Sequence, residues 1–296
     1  MTAPRIHLPG QKTPARPWVP AFLTLWLGAL WILGSLSMPM ERVGYVAYRR
    51  TWIWYTEWHL RHDRRIVTPQ FLVLYPTGHQ TSAREILHLA ENSYPGETAS
   101  LGVDPKSHIV IALYPSQSAL NRAVGISSPQ NNNIGFYWHG VIDVLGPHGL
   151  HKALGVPDAS YAVDGPMAHE LGHALLNLAA DGNYPAWFNE GIAQWEDYRQ
   201  TGYQWLTSHN YLRHDALYPY SALSSHFYAL PHQSLAYREG LVLIKYLVQI
   251  RGSQNLRMLI KTLKKGTPFA LAVKKTYGVP IQSLFIHWQQ SLGRSV

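Results

Sequence analysis

An α+β fold, with a mixed-sheet lobe followed by a helical lobe and preceded by one transmembrane helix, is predicted by three features of this chain. Short continuous apolar runs bounded by turn residues, Phe71–Tyr75 and His108–Tyr114, read as strands in the first part of the domain. From Ser234 onward the apolar residues recur at helical spacing. Ahead of both stands Trp18–Met38, a run of 21 residues without a charge, and about 20 apolar residues span a bilayer core.

In chain order, residues 1–17 form a short polar tail with four prolines and three basic residues. Residues 18–40 read as the membrane anchor. A cleavable signal peptide is the competing reading, since Gly34-Ser35-Leu36-Ser37 supplies small residues near its end. Residues 41–65 alternate three tryptophans and three tyrosines with arginines. Such a segment either lies among lipid headgroups or packs as a helix on the following domain. The domain itself spans residues 66–296.

Within it, Thr81–Asn92 has helical spacing, Gln117–Val124 reads as a short helix, and Ser127–Asn133 as a loop. Gly135–Trp138 and Val141–Leu145 read as a hairpin turning at His139-Gly140. Residues 146–165 read as a connection, with Asp164 as cap and Pro166 in the first turn of the helix that follows. Residues 201–233 show no strong period. Leu235–Ile250, Asn255–Lys265, Phe269–Tyr277 and Ile281–Leu292 read as four helices, the first ended by Arg251-Gly252.

The chemistry concentrates between His169 and Glu190. His169-Glu170-Leu171-Gly172-His173 has the form HExxH. On a helix, positions i and i+4 lie about 40° apart and roughly 6 Å along the axis, so both histidines can close on one metal ion. Glu170 sits about 100° round, beside the metal, where its carboxylate can take a proton from water. Leu171, Ala174, Leu175 and Leu178 give the same helix an apolar packing face. With 16 histidines in 296 residues, a chance HExxH is expected roughly 0.03 times. A catalytic zinc takes three protein ligands and keeps one position open. Glu190 opens a second helical run, Asn189 to Gln200, after the turn residues Asp181–Pro185, with Asn189 as N-cap. Gln194 and Asp197 follow on its face as candidate hydrogen-bond partners of the histidines. His148 and His151 lie three apart in a loop-like stretch and are left out of the site.

HExxH followed by Trp187-Phe188-Asn189-Glu190-Gly191 resembles the gluzincin metallopeptidases, the group that includes thermolysin and the aminopeptidase N family. It is most similar to the small peptidase MA-like families of that clan, over about residues 66–292. The resemblance implies a thermolysin-like catalytic domain. It also implies Zn2+ held by His169, His173 and Glu190, with Glu170 as general base. It implies a peptide or protein substrate, a sheet edge along the substrate cleft, and an extracytoplasmic domain at the cell membrane. A GAMEN-like exopeptidase motif is absent upstream of the helix. Gluzincins take a Tyr or His from the helical part as a donor to the oxyanion. Here His226, Tyr228, His232 and Tyr237 lie in that region, and Tyr237, at the head of a long helix, is the candidate. The competing reading of Tyr237 is a core tyrosine bonded to backbone.

Composition narrows the classes. Cysteine is absent, which excludes disulfides and thiol catalysis. Only 14% of residues are charged, against about 25% in typical soluble chains, and something apolar must account for the deficit. The net charge of +8 comes without a compact Lys/Arg motif, so no nucleic-acid partner is expected. Two further readings stay open: a catalytically idle, zinc-stabilised binding domain at the envelope, and a basic membrane-surface or polyanion-binding protein. Glu170 speaks against the first, because a structural zinc needs no base.

Overall fold

The computed structural model describes residues 38–126, 133–207, 210, 212 and 216–293, with side chains from residue 44 onward. The Trp18–Met38 run, apart from its last residue, and most of the Ser127–Asn133 loop lie outside these residues. Among the described residues no helix is long and apolar enough to cross a membrane.

The protein is a mixed α+β fold built on five strands in the order β1-β2-β3-β5-β4. β2 (Phe71–Tyr75), β3 (Ile109–Tyr114) and β5 (Val141–Leu145) run parallel, while β1 (Arg64–Val67) and β4 (Gly135–Trp138) are antiparallel edges. Every residue of β2, β3 and β5 is buried. This is why these strands read as unbroken apolar runs rather than alternations. The one charge among them, Asp143, accepts a hydrogen bond from the Tyr114 hydroxyl at 3.0 Å. β1 begins with exposed Arg64 and Arg65, which protect that edge from pairing. β4 and β5 turn at His139 and Gly140, both with positive φ (45° and 102°), as a two-residue hairpin demands.

Helix α1 (Met38–His59) carries most of the aromatic and basic segment 41–65 and packs on the domain, burying Arg49, Trp52 and Thr56. Its opposite face exposes Trp54 and Trp58. α2 (Gln80–Leu101) runs nine residues past the expected stop at Asn92 and carries Pro95 inside. Burial of Ser93, Glu97, Ser100 and Leu101 holds that extension in place, a tertiary override of local preference. α3 (Gln117–Ala123) is capped by Ser116, whose hydroxyl accepts the Ala119 N–H.

The 146–165 connection is more ordered than expected. It contains α4 (Pro147–Leu154), a 3-10 turn at Asp158–Ser160 and α5 (Tyr161–Asp164). Asp164 ends α5 and does not cap the next helix; α6 (Met167–Ala180) starts from Pro166 with no side-chain cap. α7 (Ala186–Thr201), α8 (Tyr220–His226), α9 (Gln233–Lys264), α10 (Phe269–Tyr277) and α11 (Ile281–Ser291) complete the helical part. α9 is broken at Gly252 (φ 75°, ψ 163°), where the sequence predicts two helices. α7 lies between α6 and α9, and α6 rests on β4 and β5.

α2 and α7 meet through acids. Glu97 is 0% exposed, and neither of its carboxylate oxygens has a hydrogen-bond partner among the described residues. Burial first, then the charges of Glu196 and Asp197, pushes its carboxyl well above the usual range. Glu196 accepts from Ser100 and pairs with Arg199 at 2.7 Å, yet burial still pushes it up to about 7. Both folded-state values lie above the ordinary 4.5, so the stability linked to protonation is complete below that pH. It is lost as pH rises through about 7. Glu97→Gln is therefore expected to raise the melting temperature at pH 8 and to flatten its fall between pH 5 and 8. A wild-type melting temperature that stays flat over that range would contradict this account.

Candidate metal centre

α6 carries its two histidines one turn apart on the face turned toward α7, and α7 brings Glu190 over them. His169 Nε2 and His173 Nε2 lie 3.1 Å apart, and Glu190 Oε2 lies 3.5 and 3.4 Å from them. All three side chains are buried. Among the described residues, this is the group of three His, Asp or Glu side chains whose ligand atoms converge closely enough for a metal ion.

The donor set fits a tetrahedral ion. Ligand atoms about 2.0–2.2 Å from zinc stand about 3.3–3.6 Å from one another; the two separations to Glu190, 3.4 and 3.5 Å, match that edge, and the two histidine nitrogens are slightly closer at 3.1 Å. Two nitrogens and one carboxylate oxygen, with a fourth position left over, suit a catalytic rather than a closed structural site. Burial pushes the His173 imidazolium down, and the Glu190 carboxylate more than reverses that, holding it up at about 9. Burial likewise pushes the Glu190 carboxyl up. The charge on His173 and hydrogen bonds from both histidines pull it well below the usual range. The cluster is arranged around positive charge.

Glu170 is buried beside this triangle. Burial raises its carboxyl above the ordinary range; His169 and His173 oppose the shift, Glu190 adds to it, and the backbone N–H of Tyr137 on β4 bonds the carboxylate. β4 comes this close because Gly135 has no side chain: a Cβ there would stand 2.7 Å from Pro166 and 3.0 Å from the Glu170 carboxylate.

The supporting residues differ from those expected. α7 starts at Ala186, three residues before Asn189, so Asn189 is not its cap. Instead Asn189 Oδ1 lies 2.9 Å from His173 Nδ1 and fixes that ring through the nitrogen not turned to the triangle. Asp197 accepts from the Thr201 hydroxyl at 3.0 Å, and Gln194 is buried on α7. Tyr237 has its hydroxyl within hydrogen-bonding reach of Glu190, so the structure places it at the site. His151 Nδ1 contacts the Val156 carbonyl at 3.1 Å on α4, outside the cluster. Tyr228 was only one of four donors available in the sequence. The residue is 41% exposed, yet its hydroxyl donates to Glu190 Oε1 at 2.6 Å. That bond occupies one carboxylate oxygen and leaves Oε2 to the histidines.

A family model described as the Peptidase MA superfamily matches residues 98–294, about two thirds of the chain. A comparison with curated proteins gave no match.

Partners that orient a metal ligand typically contribute about 10–100-fold to affinity. Tyr228→Phe is expected to weaken divalent-metal binding by about that factor, with the melting temperature of the metal-free protein nearly unchanged. Chelator competition measures it, and unaltered affinity would show that the Tyr228 bond does not orient Glu190.

Proposed function

The chain belongs to the Peptidase MA superfamily, and from that membership and the geometry at His169, His173 and Glu190 we propose that it is a membrane-anchored zinc peptidase of the gluzincin type. The observation that carries this reading is the triangle of two imidazole nitrogens and one carboxylate oxygen, 3.1–3.5 Å on a side, with the buried carboxyl of Glu170 beside it. His169, His173 and Glu190 would hold the ion. When bound, zinc supplies Lewis acidity to a water and to the substrate carbonyl.

The chain's own groups do the rest. β4, an edge strand of the sheet among the described residues, binds the extended substrate along its outer side and sets its carbonyl against the site. Glu170, its affinity for protons raised by burial, takes one from the attacking water. The water oxygen bonds to the carbonyl carbon, the C–N bond breaks, and Glu170 passes the proton to the departing nitrogen. Tyr237, its hydroxyl beside Glu190, donates to the carbonyl oxygen as negative charge develops there. The buried site keeps bulk water from competing for these bonds. The uncharged Trp18–Met38 run supports an anchor over residues 18–40, with the domain on the extracytoplasmic side. A mature protein whose sequence begins near residue 38 would replace the anchor with a signal peptide.

Two variants test the mechanism. Glu170→Gln is expected to keep full zinc content and lose turnover by about 100-fold or more, because a base outside the ligand set moves protons without holding the ion. Tyr237→Phe is expected to lower kcat about 100-fold at unchanged zinc content and melting temperature. Metal analysis beside cleavage of a peptide library reads both. Full turnover in Glu170→Gln would sink the assignment of the base.

A further inference from the structure

α1 precedes the matched residues 98–294, yet it docks against the C-terminal end of α6, the helix that carries His169 and His173. Its Tyr45 hydroxyl accepts from the side-chain amide of Asn177, which also donates to the Tyr184 hydroxyl at 3.1 Å. Arg49 donates to Asn177 Oδ1 at 3.0 Å and pairs with Asp181 at 3.5 Å. Both donors of the buried Asn177 amide and its oxygen are thus engaged. Further along α1, Tyr48 packs edge-on against His139 at the tip of the β4–β5 hairpin, ring centroids 4.6 Å apart. Gly140, beside it, faces Ile53 so closely that a Cβ would lie 2.8 Å from that side chain. α1 therefore bridges the hairpin tip on one side and the end of α6 on the other.

The bridge lies close to the chemistry. Asn177 follows His173 by four residues, one helical turn, which is about 6 Å along the axis. An extended peptide advances about 3.3 Å per residue, so about two residues fit between the triangle and the wall made by Tyr45, Asn177 and Tyr184. β4 runs from Gly135, against Glu170, toward Trp138 and the α1-covered tip. Antiparallel pairing is the more stable arrangement for a strand added to an edge. A peptide added to β4 in that sense lays its N-terminal residues toward Trp138 and the wall.

We propose that α1 closes the cleft at the Trp138 end, so that the site takes substrates by a free N-terminus with one or two residues ahead of the cleaved bond. This rests on the peptidase reading above and names its substrate class: chain ends rather than chain interiors. The wall is built from residues outside the ligand and base set.

The test uses the full zinc-loaded chain, a linear dodecapeptide and its head-to-tail cyclic form, with products read by mass spectrometry. The expected result is release of single residues or dipeptides from the linear peptide's N-terminus, with the cyclic peptide cut at least 100-fold more slowly. The double variant Tyr45→Ala/Arg49→Ala is expected to cut the cyclic peptide. Tyr45→Phe, which keeps the ring, is expected to retain end-trimming and so controls for loss of folding. Interior cleavage of the linear peptide, or comparable rates on both peptides, by the wild type overturns the proposal. So does trimming from the C-terminus, or activity that appears only once α1 is loosened, which would make α1 a plug over the whole site. Absence of hydrolysis by every form overturns the peptidase reading itself, and this inference with it.

Discussion

The candidate metal centre depends on how closely α7 approaches the two helices that flank it. Gly172 on α6 faces Ala193 so tightly that a Cβ would stand 3.1 Å from its Cα. On the other side, a Cβ on Gly191 would lie 2.7 Å from the Gly240 carbonyl oxygen of α9. Glycine on both sides lets three backbones pack at contact distance, and Glu190, next to Gly191, reaches the histidines only because of it. Backbone packing of this kind is rigid, and a ligand set must be held to within about half an ångström.

Holding buried histidines and a carboxylate together has an electrostatic consequence that the surroundings answer. The Asn189 amide oxygen faces His173 Nδ1, and the Tyr228 hydroxyl donates to Glu190 Oε1. Each bond directs one ligand atom inward. At the far end of α6, Asp181 caps the helix in the left-handed region (φ 50°) and pairs with Lys264 at 2.8 Å and Arg49 at 3.5 Å. Positive charge is favourable at a helix C-terminus. α9 and α1 therefore grip the same helix end, and that grip links the segment following the apolar run to the helix that carries His169 and His173.

What could be read from the sequence follows the range of the interactions. The i, i+4 spacing of His169 and His173 and the apolar face opposite are local, and the structure reproduces both. The buried parallel strands were legible because both faces are covered, and the hairpin because His139-Gly140 suits a tight turn. Glu190 was suggested by the turn residues Asp181–Pro185 followed by a second helical run, and the resemblance gave it the role of third ligand. Asn189 looked like a cap because asparagine before a helical run usually is one; Pro185 starts the helix a turn earlier and frees the amide for His173. Tyr228 sits in an aperiodic stretch 38 residues from its carboxylate partner. The tryptophans and arginines of α1 suit both a lipid interface and a packed helix, and only tertiary contacts separate those outcomes.

The central claim is that one ion sits among His169, His173 and Glu190. Anomalous diffraction at the zinc absorption edge, from crystals of the full chain grown with one equivalent of zinc, tests it most directly. The account predicts a single strong peak about 2.0–2.2 Å from His169 Nε2, His173 Nε2 and Glu190 Oε2. A peak at other histidines, such as His148 and His151, or no peak at the triangle while zinc is bound stoichiometrically, would contradict it.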